Sequence, residues 1–219
     1  RYAREYGARV DVVELDPEVA RVARTYFGAR DPDVTWHVAD GRRYVRESDR
    51  TYDVVVVDAF REDGVPYHLL TTEFHRLLRD RLAPDGVVAY NLISPYEGGG
   101  SDLWRAEART LGARFDRVDA YATAADRPGR VQNVVVVARD GPPVSTARLR
   151  DRAATRPVGV PADRLALDSR RADVRPADVP VFWDDRGSAR PYLRQFANEP
   201  YLTVQTDGNE TAYESGETR

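Results

Sequence analysis

Residues 52–57 read Tyr52-Asp53-Val54-Val55-Val56-Val57, and Asp58 follows. Four consecutive valines without polar alternation describe a strand buried on both faces, as in a parallel sheet covered by helices. The run stops at Asp58. Upstream, residues 34–38 form a shorter strand candidate, followed by Ala39-Asp40-Gly41 and a short helix holding Tyr44 and Val45. Before it, residues 9–15 are apolar and β-branched. Asp16-Pro17-Glu18 then opens a helix with an N-cap, a proline at N1 and an acid in the first turn. Val19, Val22, Ala23 and Tyr26 give that helix one apolar face, and Gly28 ends it. Downstream, Thr71 caps a helix with Phe74, Leu77, Leu78 and Leu82 on one face. Pro84-Asp85-Gly86 turns into a strand over 87–93, and Gly98-Gly99-Gly100 precedes a helix over 103–111. Residues 115–122 and 131–138 bracket a Pro-Gly turn and read as an antiparallel hairpin. Strands alternating with helices predict an α/β fold, a doubly wound, mostly parallel sheet that closes on a C-terminal antiparallel hairpin.

The chain has 219 residues, enough for one α/β domain with its own core. It contains no cysteine, which excludes disulfides, thiolate nucleophiles and Cys-ligated metal. All 33 basic residues are arginine, so lysine Schiff-base chemistry is excluded as well. Arginine and aspartate interleave to a net charge of -3, which leaves no basic stripe for nucleic acid and no basic helix for a membrane surface. No apolar run reaches the roughly 18 residues of a membrane span. Methionine is absent even at position 1, and residues 1–6 read as the last turns of a helix closed by Gly7. The expectation is a chain that opens inside an element, with a segment before it. Three parts are expected: a nucleoside-binding domain over 1–141, a C-terminal extension over 142–202 with an Arg-rich helix at 145–156, and a polar, disordered tail over 203–219.

Ligands of open α/β sheets bind outside the carboxyl ends of the strands. Glu14, Asp40 and Asp58 each stand at such an end. An acid before a helix often caps it, as Asp16 does. The pattern of strand, acid and turn, repeated three times, is what points to a ligand. A carboxylate at Glu14 can accept two ribose hydroxyls. Asp40 can take the exocyclic amine of adenine, with Gly41 letting the backbone approach the ring. Asp58 lies nearest any reaction centre. Tyr67 and His68 can line an amine pocket, or simply pack and cap. His37, inside a strand, and His75, on a helix, read as structural, and no histidine pair has metal-ligand spacing.

Glu14-Leu15-Asp16, Ala39-Asp40-Gly41 with Tyr44-Val45, and Asp58 followed by residues 66–74 (Pro-Tyr-His-Leu-Leu-Thr-Thr-Glu-Phe) resemble spermidine synthase, the polyamine aminopropyltransferase family. The resemblance covers about residues 10–138. It implies the class I S-adenosylmethionine-methyltransferase fold, with decarboxylated S-adenosylmethionine as co-substrate and no metal. It further implies that Glu14 binds the ribose, that Asp40 and Gly41 hold the adenine, and that Asp58 is the catalytic acid facing a small-molecule amine. Asp184-Asp185, followed by Pro191-Tyr192-Leu193, is similar to the end of spermidine-synthase-like domains fused to membrane transporters. That likeness implies a cytoplasmic protein or the cytoplasmic domain of a membrane protein, and a homodimer or such a fusion is compatible with it. Two features depart from the family pattern. The first strand and its glycine-rich loop are absent, and Arg61 stands where the family has a second acid.

Two other functions share these residues. The same crevice would serve a methyltransferase using S-adenosylmethionine itself, and a non-catalytic nucleoside-binding or regulatory module would need no base. A nicotinamide dehydrogenase fits less well, because its Gly-x-Gly-x-x-Gly is missing.

Overall fold

The computed structural model describes residues 2–29, 34–60, 64–155 and 170–186. They divide between two compact units. The first, residues 1–50 and 147–165, carries helix α1 (Tyr2–Tyr6), strand β1 (Val10–Glu14), α2 (Pro17–Tyr26), β2 (Val34–Val38) and α3 (Gly41–Glu47). The second, residues 51–146 and 166–219, carries β3 (Tyr52–Val57), a 3₁₀ turn (Tyr67–Leu69), α4 (Thr72–Arg79), β4 (Leu82–Pro95), α5 (Asp102–Gly112), β5 (Arg117–Ala122), β6 (Val131–Arg139) and β7 (Arg170–Arg171). Helix α6 (Thr146–Thr155) begins at the boundary. The stretch 142–202, expected as one extension, thus contributes to both units. The tail over 203–219 lies outside the described residues.

In the first unit β1 and β2 pair in parallel, Val10 opposite Val34 and Glu14 opposite Val38. The caps are those the sequence predicts. Asp16 accepts from Glu18 N at 2.7 Å, and Gly7, at φ +62°, closes α1 with its N–H on Ala3 O at 3.0 Å. The apolar face of α2 is a correction: Ala20 is buried, whereas Val19 and Tyr26 are exposed. Two strands about 4.8 Å apart are narrower than a helix about 10 Å wide, so the sheet covers only part of that face.

The second unit is a mixed sheet in the order β3-β4-β6-β5-β7, with β3 and β4 parallel and the remaining pairs antiparallel. Val88, Tyr90 and Leu92 of β4, Val118 and Ala120 of β5, and Val134, Val136 and Ala138 of β6 are fully buried. They alternate with the pleat and pack beneath Phe74 and Leu78 of α4 and Leu103, Trp104 and Leu111 of α5. Each Val, Leu or Phe among them contributes roughly 1.5–3 kcal/mol through burial.

Three expectations change here. The strand over 52–57 is not buried on both faces: it lies at the sheet's edge, and Val54 and Val56 are 52% and 51% exposed. Leu82 belongs to β4 rather than to the preceding helix. Pro84-Asp85-Gly86 does turn, but as a bulge inside β4, where pairing passes from Tyr52–Leu82 to Val54–Val87. Asp85 takes φ +64°, and a Cβ on Gly86 would come within 2.8 Å of Ala83 O. That contact reserves position 86 for glycine.

Candidate functional site

Glu14 and Asp40 share one edge of the first unit. Glu14 ends β1, its carbonyl accepting Ala39 N at 3.0 Å, so that the start of the Ala39-Asp40-Gly41 turn is tied directly to it. Glu14 Oε1 accepts from Asp16 N at 2.9 Å, and Asp40 Oδ1 accepts from Arg43 N at 2.9 Å, capping α3. Gly41 is the first residue of that helix. Each carboxylate is therefore oriented by its own chain. His37 is structural: its Nε2 lies 3.0 Å from Asp11 Oδ1, and Asp11 also receives Arg50 Nη1 at 2.8 Å.

Asp58, Tyr67 and His68 belong to the second unit. Asp58 follows the last residue of β3, and its neighbour across the ladder is β4. Register there pairs Val57 with Tyr90, and Asn91 Nδ2 donates to Asp58 Oδ1 at 3.0 Å. Asn91 was not among the residues singled out from the sequence. The signal lay in one amide side chain inside the apolar run of β4, and it becomes readable only with the parallel register. Asp58 Oδ2 has no partner among the described residues, and Asp58 is exposed. Next along β4, the buried Tyr90 hydroxyl donates to Leu69 O at 2.7 Å. Consecutive residues of one strand thus hold both ends of the loop from Asp58 to Leu69. Arg61, with Glu62 and Asp63, lies outside the described residues, as do Pro191, Tyr192 and Leu193.

Thr71 caps α4, accepting from Phe74 N at 3.4 Å while donating to Asp184 Oδ1 at 2.8 Å. The Tyr67 hydroxyl is directed at two backbone carbonyls, Trp183 O at 2.7 Å and Arg186 O at 3.0 Å. Burial raises the Tyr67 phenol above its ordinary value. The carbonyl of Trp183 partly offsets that rise, and the negative charges of Asp184, Glu73 and Asp185 add to it. Tyr67 is thereby kept as a protonated donor at neutral pH. Among the described residues, no group of three or more His, Asp or Glu side chains could hold a metal ion, and no helix is long and apolar enough to cross a membrane.

Residues 5–96 match the family model of the spermine/spermidine synthase domain. The chain is 33% identical over 194 residues to polyamine aminopropyltransferase 1 of Streptomyces coelicolor, covering 80% of this chain and 35% of that protein. Among solved structures it is similar to a probable spermidine synthase from Corynebacterium glutamicum, with a TM-score of 0.58 at 21% identity over 98% of this chain and 69% of that one. It is also similar to human methyltransferase-like protein 13 in complex with SAH, with a TM-score of 0.55 at 23% identity over 74% of this chain and 72% of that one. At these identities the structural likeness establishes the fold, an α/β architecture common to spermidine synthases and a methyltransferase-like protein. The chain spans about a third of the length of the curated relatives it matches.

Proposed function

We propose, from the match of residues 5–96 to the spermine/spermidine synthase domain, that the protein carrying this chain is an aminopropyltransferase that uses decarboxylated S-adenosylmethionine. The observation that carries the reading is Asp58, set at the end of β3 with one oxygen fixed by Asn91 and the other without a partner among the described residues. When bound, the donor supplies a carbon made electrophilic by its neighbouring sulfonium. The acceptor is an amine, protonated near neutral pH and inert as a nucleophile in that form. Asp58 Oδ2 receives the ammonium N–H, takes that proton and directs the lone pair so freed towards the carbon, where it forms the C–N bond. The C–S bond breaks in the same displacement and its electron pair stays on sulfur, releasing methylthioadenosine. Asn91 keeps Asp58 from turning away.

Glu14 and Asp40, with Gly41, are assigned to the nucleoside, ribose on the first and adenine on the second. Removing a carboxylate bonded to a buried ligand group costs about 1.5–3 kcal/mol, which is roughly a ten- to hundred-fold loss of affinity. Calorimetry with methylthioadenosine on Glu14→Ala and Asp40→Ala should show losses of that size in each. Unchanged affinity in both would remove the assignment.

Arg61 sets the acceptor. A diamine brings two positive charges, and a guanidinium at the place of the family's second acid adds a third. Two like charges about 4 Å apart repel by about 1 kcal/mol in water and several-fold more where water is partly excluded. The acceptor that suits Arg61 carries a carboxylate or phosphate near its amine. The donor test is to supply the intact protein with decarboxylated S-adenosylmethionine, or with S-adenosylmethionine itself, together with a panel of amines. Methylthioadenosine from the first donor supports the proposal. S-adenosylhomocysteine from the second would make the protein a methyltransferase instead.

A further inference from the structure

Residues 179–186 run across the start of α4 without regular secondary structure, and only Val179 and Phe182 of them are buried. Their upstream end is fixed to α5: Arg105 pairs with Asp178, Arg109 Nη1 donates to Ala177 O at 2.7 Å and also to Val179 O, and Phe182 N donates to Thr110 Oγ1 at 3.1 Å. Their downstream end grips the segment that follows the Asp58 loop. Thr72 N donates to Phe182 O at 3.0 Å, Thr71 Oγ1 to Asp184 Oδ1 at 2.8 Å, and Asp184 N to Glu73 Oε2 at 3.1 Å. The Tyr67 hydroxyl has one proton to share between Trp183 O and Arg186 O. Its ring meets Phe182 edge-on, with centroids 5.9 Å apart. Besides burying Val179 and Phe182, this strap, which lies beyond the residues the family model matches, places backbone and carboxylate acceptors on Tyr67 and Thr71, more than a hundred residues away in sequence.

We propose that residues 179–186 form a positioning strap for the acceptor amine, with Asp184 a positioning residue that acts through Thr71 and the strap's backbone carbonyls acting through Tyr67. The proposal rests on the aminopropyltransferase reading. Asn91 and Tyr90 of β4 hold Asp58 and Leu69, and the strap holds Tyr67 and residues 71–73. Acceptor-side geometry is then set by two elements far apart in the chain.

The test uses the intact protein, with Asp184→Ala, Asp184→Asn and Tyr67→Phe. Asparagine retains an oxygen to accept from Thr71, and alanine does not. Misplacing a reacting group by about 1 Å costs on the order of a hundred-fold. Asp184→Ala and Tyr67→Phe should each lower kcat/KM for the amine roughly ten- to a hundred-fold. KM for the donor should stay unchanged, and Asp184→Asn should recover most of the loss. Hydrogen exchange at residues 67–74 should quicken in Asp184→Ala while the melting temperature stays within a few degrees of wild type. Wild-type kinetics in Asp184→Ala, or equal losses for donor and amine, would overturn the strap's role and leave the transferase reading intact. An inactive wild type would defeat the transferase reading and with it the catalytic role; exchange unchanged by Asp184→Ala would show that the strap does not hold the loop at all.

Discussion

Asn91 fixes one oxygen of Asp58, and in the proposed reaction it is the residue that aims that carboxylate. A hydrogen bond to an ionised group contributes about 1.5–3 kcal/mol when it is lost. If Asn91 serves to aim Asp58, Asn91→Leu should lower kcat roughly ten- to a hundred-fold and leave KM for the donor near its wild-type value. Steady-state kinetics at saturating donor measures this, and an unchanged kcat would reduce Asn91 to a packing residue. Arg61 makes a prediction of opposite sign. On the proposed acceptor reading, Arg61→Asp should create or strengthen activity towards putrescine on the order of a hundred-fold, because it exchanges a cation for an anion at the place of the family's second acid. Brisk putrescine-dependent turnover by the wild type would contradict that. At this scale the sequence was informative about acids and silent about their partners. Glu14, Asp40 and Asp58 announce themselves by following strands. Asn91 and Asp184 reach Asp58 and Thr71 across 33 and 113 residues, and such contacts are set by register and by the path of the strap rather than by local pattern.

The elements show where local physics suffices and where it is overruled. Caps at Asp16 and Thr71 and the closing Gly7 depend on residues within one turn, and all three are legible. The valines of β3 gave its type correctly and its burial wrongly, because burial depends on neighbours that a single run does not name. The bulge at Asp85-Gly86 hid for the same reason: it needs Tyr52 of β3 on the far side to define it. Between α4 and α5 the sequence gives no warning of a fully buried pair, His75 Nε2 and Glu107 Oε1 at 2.8 Å, without the alignment of a good hydrogen bond. Burial pushes the Glu107 carboxyl above its ordinary 4.5, and His75 only partly opposes this. A carboxyl whose value is raised on folding contributes most stability below 4.5, where it is protonated in both states. That contribution is lost as pH rises through the raised folded value. The stability of wild type minus that of Glu107→Gln should therefore fall as pH is taken from about 4 to about 7, by up to about 1.4 kcal/mol per pH unit. Denaturant melts of both proteins across that range measure the difference. A difference that rises with pH would mean that Glu107 is ionised and stabilised by His75.

At the scale of the whole molecule, apolar side chains reach the surface in each unit. Among the described residues β3 pairs with β4 alone, and Val54 and Val56 are half exposed; Val19, Tyr26 and Phe27, on and just after α2, are exposed too. An exposed, flat, valine-rich edge is a template for pairing with another chain. The 219-residue chain taken by itself should accordingly sediment as species larger than its 24.7 kDa. A Val54→Lys, Val56→Lys variant should shift it towards monomer; a clean wild-type monomer with a sharp melt would contradict this. The central claim concerns the intact protein: that it transfers an aminopropyl group with Asp58 handling the amine's proton. The measurement that bears on it most directly is amine-dependent release of methylthioadenosine from decarboxylated S-adenosylmethionine by wild type and by Asp58→Asn. Release by the wild type that requires an amine, and falls about 10²- to 10⁴-fold in the variant with donor affinity retained, is the predicted result. Equal release by the two proteins, or none from either with any amine, would contradict it.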